Sequence, residues 1–456
     1  MRQTRLDVPS LRRPAAVNAA QYWLAPEQFA RRCARLGDRF QVAMPSTGRW
    51  LCLTHPDDIK KVFVADPEVL RFGEALAKLA PHPLVLGPTG LTNVDGADHA
   101  RRRSVQNHPF NGAALTTYQE TMQRKTEEAL ARWPYGQWVP AQPHMQAITL
   151  EVIIAVMFGV TDRERVTRLR DATLALIREV YSRHFLVQTA IATSRTDGWN
   201  RPFPRMRRAM SAVDAIVLEE VGQRRNTGDL DRDDVLGILR RSRDNDGAPI
   251  SDDELCDAMR TLLLGGHDTT ASTLTWLLEQ ITRHPDILAR TQAAAHDGDN
   301  DYLDAVVKEA MRLRPVAPMT CRLAAQDFEI PGLTIPAGTM VFPYITLVHR
   351  RADIWEAPLE FRPERFLNTP VNTYAWIPFG GGRRRCLGAA FSLIEARVVL
   401  RTILRNANLT ENPRRPERIS RSNVLLIPGR GGSVRLDRRK SHGSAPTSPL
   451  LQTTGR

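Results

Sequence analysis

The ten residues from Phe379 to Gly388 read Phe-Gly-Gly-Gly-Arg-Arg-Arg-Cys-Leu-Gly. Gly380, Gly381 and Gly382 have no Cβ, so the backbone there can turn sharply and lie close to a flat ligand. Beyond the loop, Leu387, Ala390, Phe391, Ile394 and Val398 recur at helical spacing. Cys386 therefore stands where a loop becomes a helix. Free N–H groups and the positive helix end favour an anion at that point, and the flanking arginines are expected to lower the thiol pKa further. A thiolate held in this way is a soft ligand for iron. The plainer alternative is a buried structural cysteine after a glycine turn.

A second chemical cluster lies inside the longest helical pattern, Asp252 to His284, which Pro285 ends. Leu255, Met259, Leu262, Leu263, Leu274, Leu277 and Leu278 form its apolar stripe. Its centre reads Gly265-Gly266-His267-Asp268-Thr269-Thr270. Two glycines within a helix cost roughly 1 kcal/mol each relative to Ala, and an acid and two alcohols follow where the stripe wants apolar groups. Local rules broken inside a strong helix point to a functional site, where Gly and Thr can let a ligand or water approach the backbone. A solvent-facing polar turn is the alternative, and His267 is expected to face outward on the helix surface. Two further pairs share helical faces. Glu309 and Arg312 are three apart. His99 and Arg103 are four apart and could clamp an anion, although a solvated basic helix is the commoner explanation.

These residues need a large scaffold. With 456 residues, 42% hydrophobic and 25% charged, the chain can bury an ample core, and length alone suggests two or three domains. The hairpin pattern Phe40–Met44 and Trp50–Thr54 around Pro-Ser-Thr-Gly is followed by a helix from Pro56 to about Ala65. Residues 70–92 read as an irregular apolar loop, and residues 181–204 as a break in the helical pattern. Most of the chain from about Ala113 to Arg225 is amphipathic helix, including Met145–Phe158 and Val166–Val180. Residues 229–253 form a charged connection. Asp301–Arg312 is helical, and short apolar runs at 328–330, 333–335 and 340–343 indicate a small β region.

Five scattered cysteines exclude a disulfide framework or a Cys-x-x-Cys zinc site and fit a reducing cytoplasm. The net charge, 63 − 50 = +13, favours acidic partners, but no nucleic-acid motif accompanies it. There is no apolar leader segment at the start, and the most apolar stretch, Ala147–Val160, is interrupted by Glu151. No transmembrane segment is expected, so the protein is read as soluble or peripheral on a membrane. Residues 1–17 are basic and expected to be poorly ordered, as is the tail from 438 to 456.

In order and spacing, these motifs resemble the cytochrome P450 family of haem-thiolate monooxygenases. Phe379-x-x-Gly382-x-Arg384-x-Cys386-x-Gly388 is similar to its haem-binding signature, Gly265-Gly266-x-Asp268-Thr269-Thr270 to its oxygen-activation motif, and Glu309-x-x-Arg312 to its buried ion pair, completed by Arg365. The resemblance implies one mainly α domain with a small β region, from residue 18 to 437, holding the haem between the long helix and the cysteine loop. It implies haem b with Cys386 as iron ligand. Arg103, Arg322, Arg384 and His99 would hold the propionates, and Phe379, Gly380 and Gly266 would lie against the cofactor. Thr269 would hydrogen-bond dioxygen or its water, with Asp268 bringing protons in.

The implied substrate is an apolar small molecule (lipid, steroid, terpenoid or aromatic) against Leu262, Leu263, Val316, Met319 and Leu425. The 70–91 loop, the 181–204 segment and Val424–Leu426 would complete the lining. Electrons would come from NAD(P)H through an acidic ferredoxin and its reductase, docking near Arg383, Arg385, Arg101 and Arg102. An H2O2-driven peroxygenase and a haem sensor without turnover are the other readings of the same scaffold.

Overall fold

The computed structural model describes residues 6–79, 85–160, 162–182, 203–229, 231–367 and 370–439. The chain opens with helices α1 (Ala15–Leu24) and α2 (Pro26–Cys33), then strands β1 (Arg39–Met44) and β2 (Gly48–Leu53), helix α3 (Pro56–Val64), strand β3 (Leu70–Arg71) and helix α4 (Gly73–Leu79). The helical body is α5 (Gly96–Gln106), α6 (Gly112–Leu130), strand β4 (Trp138–Pro140), α7 (Ala141–Phe158), α8 (Arg163–Val180), α9 (Pro204–Thr227), α10 (Val235–Arg241), α11 (Asp252–Ile281), α12 (Pro285–Asp297) and α13 (Asn300–Leu313). Strands β5 (Arg322–Ala324), β6 (Phe328–Ile330), β7 (Leu333–Ile335) and β8 (Met340–Pro343) follow, then α14 (Ile345–Val348), α15 (Ala389–Asn406), β9 (Ala407–Leu409), β10 (Ile419–Ser422), β11 (Leu425–Pro428) and β12 (Ser433–Arg438).

The fold is mainly α, with a five-stranded sheet in the order β1-β2-β8-β5-β3 at one side. The β1–β2 hairpin pairs Phe40 with Cys52, and β2 runs parallel to β8. Pairing of β5 with β8 sets Arg322 opposite Val341, fixing that arginine on the sheet. The main core lies around α11, which packs along α7, while α15 packs against α6, α12 and α13. A capping box starts α11: the Ser251 side chain accepts the Glu254 N–H, and Glu254 accepts the Ser251 N–H. By length and composition α7 could cross a membrane, but 67% of it is buried in the protein, as befits a core helix.

Several expectations need correction. Residues 70–92 are not wholly irregular, because α4 lies within them; Asp95 accepts the N–H groups of Phe72, Gly73 and Glu74 and so supports its first turn. Residues 229–253 contain α10, capped by Asp234. From Leu6 onward the first segment is ordered: Leu6 is buried, Gln41 N–H donates to Pro9 O, and α1 begins at Ala15. Within the 181–204 segment, residues 183–202 lie outside the described residues. The same holds for residues 440–456 of the tail.

One polar chain runs from the helical body to the cysteine loop. Glu309 and Arg312 are fully buried and form a bidentate pair at 2.7 and 2.8 Å. Arg312 also donates to the carbonyls of His349, Pro358 and Glu360, and Arg365 donates to Glu309 at 3.0 Å. His349 lies 3.1 Å from Arg312 O through Nδ1, and its Nε2 accepts the Ile377 N–H at 2.9 Å. Ile377 O accepts the Gly380 N–H, and Phe379 O accepts the Cys386 N–H. Burial, with Arg312 beside it, pushes the His349 pKa down to about 3. An unfolded histidine takes up its proton near pH 6.5. The unfolded chain therefore binds the extra proton between these values, and the stability that neutral His349 gives is lost as pH falls through that window. Urea midpoints measured from pH 7 down to pH 5 are predicted to fall more steeply for wild type than for His349→Gln; equal slopes would contradict this.

Candidate active site

Of the five free cysteines, Cys33, Cys52, Cys256 and Cys321 are buried, whereas the Cys386 side chain has accessible surface. Cys386 is nevertheless deep in the protein. Burial raises its thiol pKa, against the lowering pull of the Gly388 N–H, Arg103 and Arg385. The expected depression of this pKa is thus reversed, because burial outweighs the helix start and the arginines. Cys386 thus combines accessible surface with surroundings that disfavour its charge.

Glycine conformations explain the loop. Gly382 has φ +64° and a Cβ there would lie 1.8 Å from Phe63 O, while a Cβ on Gly381 would strike the Phe63 ring. These two glycines are demanded by the approach of α3. Gly380 (φ +66°) has no such neighbour, so it serves the turn itself. Phe379 packs edge-on against Trp376.

On α11, Leu262, Gly265 and Thr269 recur at three and four residues and keep accessible surface, while most of the helix around them is buried. Thr269 Oγ1 donates back to Gly265 O at 2.7 Å. Gly266 does not share this face: its Cβ would lie 2.9 Å from Ile153 Cδ1, so it belongs to the α7–α11 contact and not to a cofactor surface. Leu263 is likewise fully buried in the core and lines no space, contrary to expectation. Val316 and Met319 are partly buried, and Val316 O accepts the Leu426 N–H beside the buried Leu425. Val424 is 46% exposed at the β10–β11 turn and leaves the expected lining.

The expectation for His267 fails too. It is buried at the α7–α11 contact, with Nδ1 3.0 Å from Thr149 Oγ1 and Nε2 3.5 Å from Asp268 Oδ1, and burial lowers its pKa. Asp268 is buried, accepts from Gln146 Nε2 at 2.8 Å, and lies against Tyr181, whose phenol pKa is raised by burial and by that carboxylate. Sequence reading missed Gln146 and Thr149, and placed Tyr181 in the expected lining without its contact to Asp268, since these contacts cross elements distant in the chain. It missed Glu395 as well: fully buried on α15 against Thr270, its carboxyl is pushed well above the usual range by burial.

His99, Arg103, Arg322 and Arg384 converge. Burial, followed by repulsion from Arg384, Arg103 and Arg322, pushes the His99 pKa down to about 3 despite Asp95. Burial lowers the Arg322 and Arg384 pKa values to about 10. Their guanidiniums lie 5.2 and 5.4 Å from the Phe72 ring centroid. Arg384 is tied to Asp95 and to the Leu91 and Val94 carbonyls, and Arg322 donates to Cys321 O at 2.7 Å. Among the described residues, Asp95 is the one carboxylate paired to this group, which leaves capacity for further carboxylates. A porphyrin with two propionates and an iron accessible to Cys386 fits this donor set. Arg101 and Arg102, expected at the ferredoxin-docking surface, both bind Glu254, with Arg101 also 3.4 Å from Asp244. Arg383 and Arg385 remain exposed.

The family model "Cytochrome P450" matches residues 9–435. The chain belongs to the cytochrome P450 family. Cytochrome P450 137 of Mycobacterium tuberculosis is 37% identical over 423 residues, covering 92% of this chain and 88% of that protein. Cytochrome P450 135A1 of the same species is 34% identical over 449 residues, covering 97% and 98%. Among solved structures, a retinoic acid-bound cyanobacterial P450, CYP120A1, superposes with a TM-score of 0.77 at 23% identity, covering 95% of this chain and all of that one. The haem domain of cytochrome P450DA gives 0.79 at 21% identity, covering 96% and 99%. This P450 is therefore a monooxygenase of a family whose cofactor is a cysteine-ligated haem.

The two mid-helix glycines are predicted to differ. Gly266→Ala overpacks Ile153 and should cost about 1–3 kcal/mol, partly recovered by adding Ile153→Val. Gly265→Ala has open space and should leave stability equal or up to ~1 kcal/mol higher while altering substrate-induced spectra. A double-mutant cycle on urea unfolding checks this, and equal costs at both positions would contradict it.

Proposed function

We propose that this P450 inserts one oxygen atom from O2 into an apolar small molecule of the lipid, steroid, terpenoid or aromatic class. It uses haem b and electrons passed from NAD(P)H through a ferredoxin-type partner. The observation that carries this reading is the accessible stripe of α11, where Leu262 and Gly265 offer apolar surface and Thr269 a single hydroxyl. Such a lining, with few polar groups, favours apolar ligands. The retinoic acid named for CYP120A1, a long apolar molecule with one carboxylate, supports the same class.

When bound, haem supplies the reduction of O2 and the transfer of one oxygen atom to substrate. The chain's own groups do the rest. Cys386 Sγ binds the iron, and bound metal keeps a thiol deprotonated even where burial disfavours the thiolate. Arg103, Arg322, Arg384 and His99 hold the propionates. Thr269 Oγ1 can leave Gly265 O to hold a water or dioxygen, and Asp268 carries protons toward it. In the structure Asp268 accepts from Gln146 and lies beside Tyr181 and His267, side chains through which protons could be relayed to it. This acid–alcohol pair favours the O2 route over peroxide.

Arg383 and Arg385, exposed beside Cys386, are the cations that an acidic ferredoxin would meet. Arg383→Glu with Arg385→Glu is predicted to raise the KM for an acidic ferredoxin about tenfold or more at low salt, with substrate-binding spectra unchanged. Unaltered KM would remove these arginines from the docking surface. The substrate class is tested by titrating the purified haem protein with a panel of lipids, steroids, terpenoids and aromatics. Water displacement from the iron by members of that panel, followed by product with NAD(P)H and a ferredoxin couple, is expected. Binding without product under any electron source would leave a sensor as the better description.

A further inference from the structure

Helix α1 carries no ionic side chain. Its inner face is fastened by Asn18, which donates to Ala43 O at 2.9 Å, and by Tyr22, stacked edge-on against Phe29 and Trp50. The outer face consists of Ala16, Val17, Ala20, Trp23 and Leu24, all exposed and recurring at helical spacing. Val17 is 36%, Trp23 46% and Leu24 85% accessible. A surface helix ordinarily presents polar groups on this side. Val424, 46% accessible at the β10–β11 turn, joins the patch: β10 packs against α1, and Arg421 on β10 lies 3.9 Å from the Tyr22 ring centroid and 5.3 Å from that of Trp23.

From Val8 to Pro26 the charged residues are all cationic. Arg12 and Arg13 are exposed immediately before α1, and Arg421 stands over its far end. Glu27, the first acidic residue beyond, is occupied by Arg31 and Arg350. An apolar helix face with an indole at its edge and cations at both ends is the pattern of a helix lying in the plane of a lipid interface. A second copy would bring these same arginines toward one another without acidic partners.

We propose that α1 and the β10–β11 turn form a peripheral membrane-binding face for anionic phospholipid. Trp23, Leu24, Val17 and Val424 enter the headgroup boundary, and Arg12, Arg13 and Arg421 meet lipid phosphates. The proposal stands apart from the substrate and ferredoxin assignments, since it uses none of the groups of the haem site.

The test is co-sedimentation of the full-length, haem-loaded protein with sucrose-loaded vesicles. One set is pure phosphatidylcholine, and the other contains about one-third phosphatidylglycerol. Binding to the anionic vesicles, weakened by raising salt from about 0.1 to about 1 M, is expected, together with a blue shift of tryptophan emission that Trp23→Ala removes. Leu24→Glu with Val424→Glu should weaken binding about tenfold or more. Arg12→Glu with Arg13→Glu should weaken it and flatten its salt dependence. Leu359→Glu, at a residue 67% exposed elsewhere, should leave binding unchanged. Unchanged Tm and visible spectrum show that each variant is folded. No binding to anionic vesicles, or binding indifferent to Leu24→Glu, would overturn the proposal. So would a lipid-free dimer by light scattering that Leu24→Glu dissociates, since the face would then be a self-interface.

Discussion

The buried ion pair between Glu309 and Arg312 is the constraint on which the haem side of this P450 depends. Two charges without solvent contact are tolerated only when their remaining hydrogen-bonding capacity is filled. Here Arg312 fills it with three carbonyls from residues 349–360, and Glu309 with Arg365 and the Arg362 N–H. The pair therefore fixes an otherwise irregular stretch of chain. His349 extends that order to Ile377, one residue short of the Pro378–Phe379 step into the glycine loop. What looks like a local pair on one helix is the anchor of the loop that presents Cys386.

A second constraint is close approach. Gly381 and Gly382 let the loop lie on Phe63 of α3, and Gly266 lets α11 lie on Ile153 of α7. Backbone is brought within reach of side chains that any Cβ would displace, so these contacts set where the sulfur and the accessible α11 stripe stand. Electrostatics then completes the arrangement. Among the described residues, His99, Arg103, Arg322 and Arg384 are gathered against one paired carboxylate, Asp95, and burial lowers the proton affinity of each. A group so short of negative charge is poised for a ligand that brings it.

Much of this was legible in the sequence because it is written in local pattern. The long helix, its glycine–acid–alcohol interruption, the Glu-x-x-Arg pair and the cysteine loop are each short-range signals, and helical periodicity gave the bounds of α11 to within a few residues. What escaped depends on which face of a helix meets which neighbour. Position in the stripe alone sets His267 on the helix surface, yet α7 covers it through Thr149. Gly265 and Gly266 are indistinguishable in sequence, and only the position of Ile153 shows that Gly266 packs against α7 while Gly265 keeps open space. The neutralisation of Arg101 and Arg102 by Glu254, about 150 residues away, has no local signature at all.

The account stands on the bond between Cys386 Sγ and a haem iron. Its most direct measurement is the absorption spectrum of the reduced, carbon monoxide-bound protein, for wild type and Cys386→His. Wild type is expected to show the red-shifted Soret band of a thiolate opposite carbon monoxide, and Cys386→His to lose it. An imidazole-type band in wild type, or a thiolate band that survives in Cys386→His, would contradict the account.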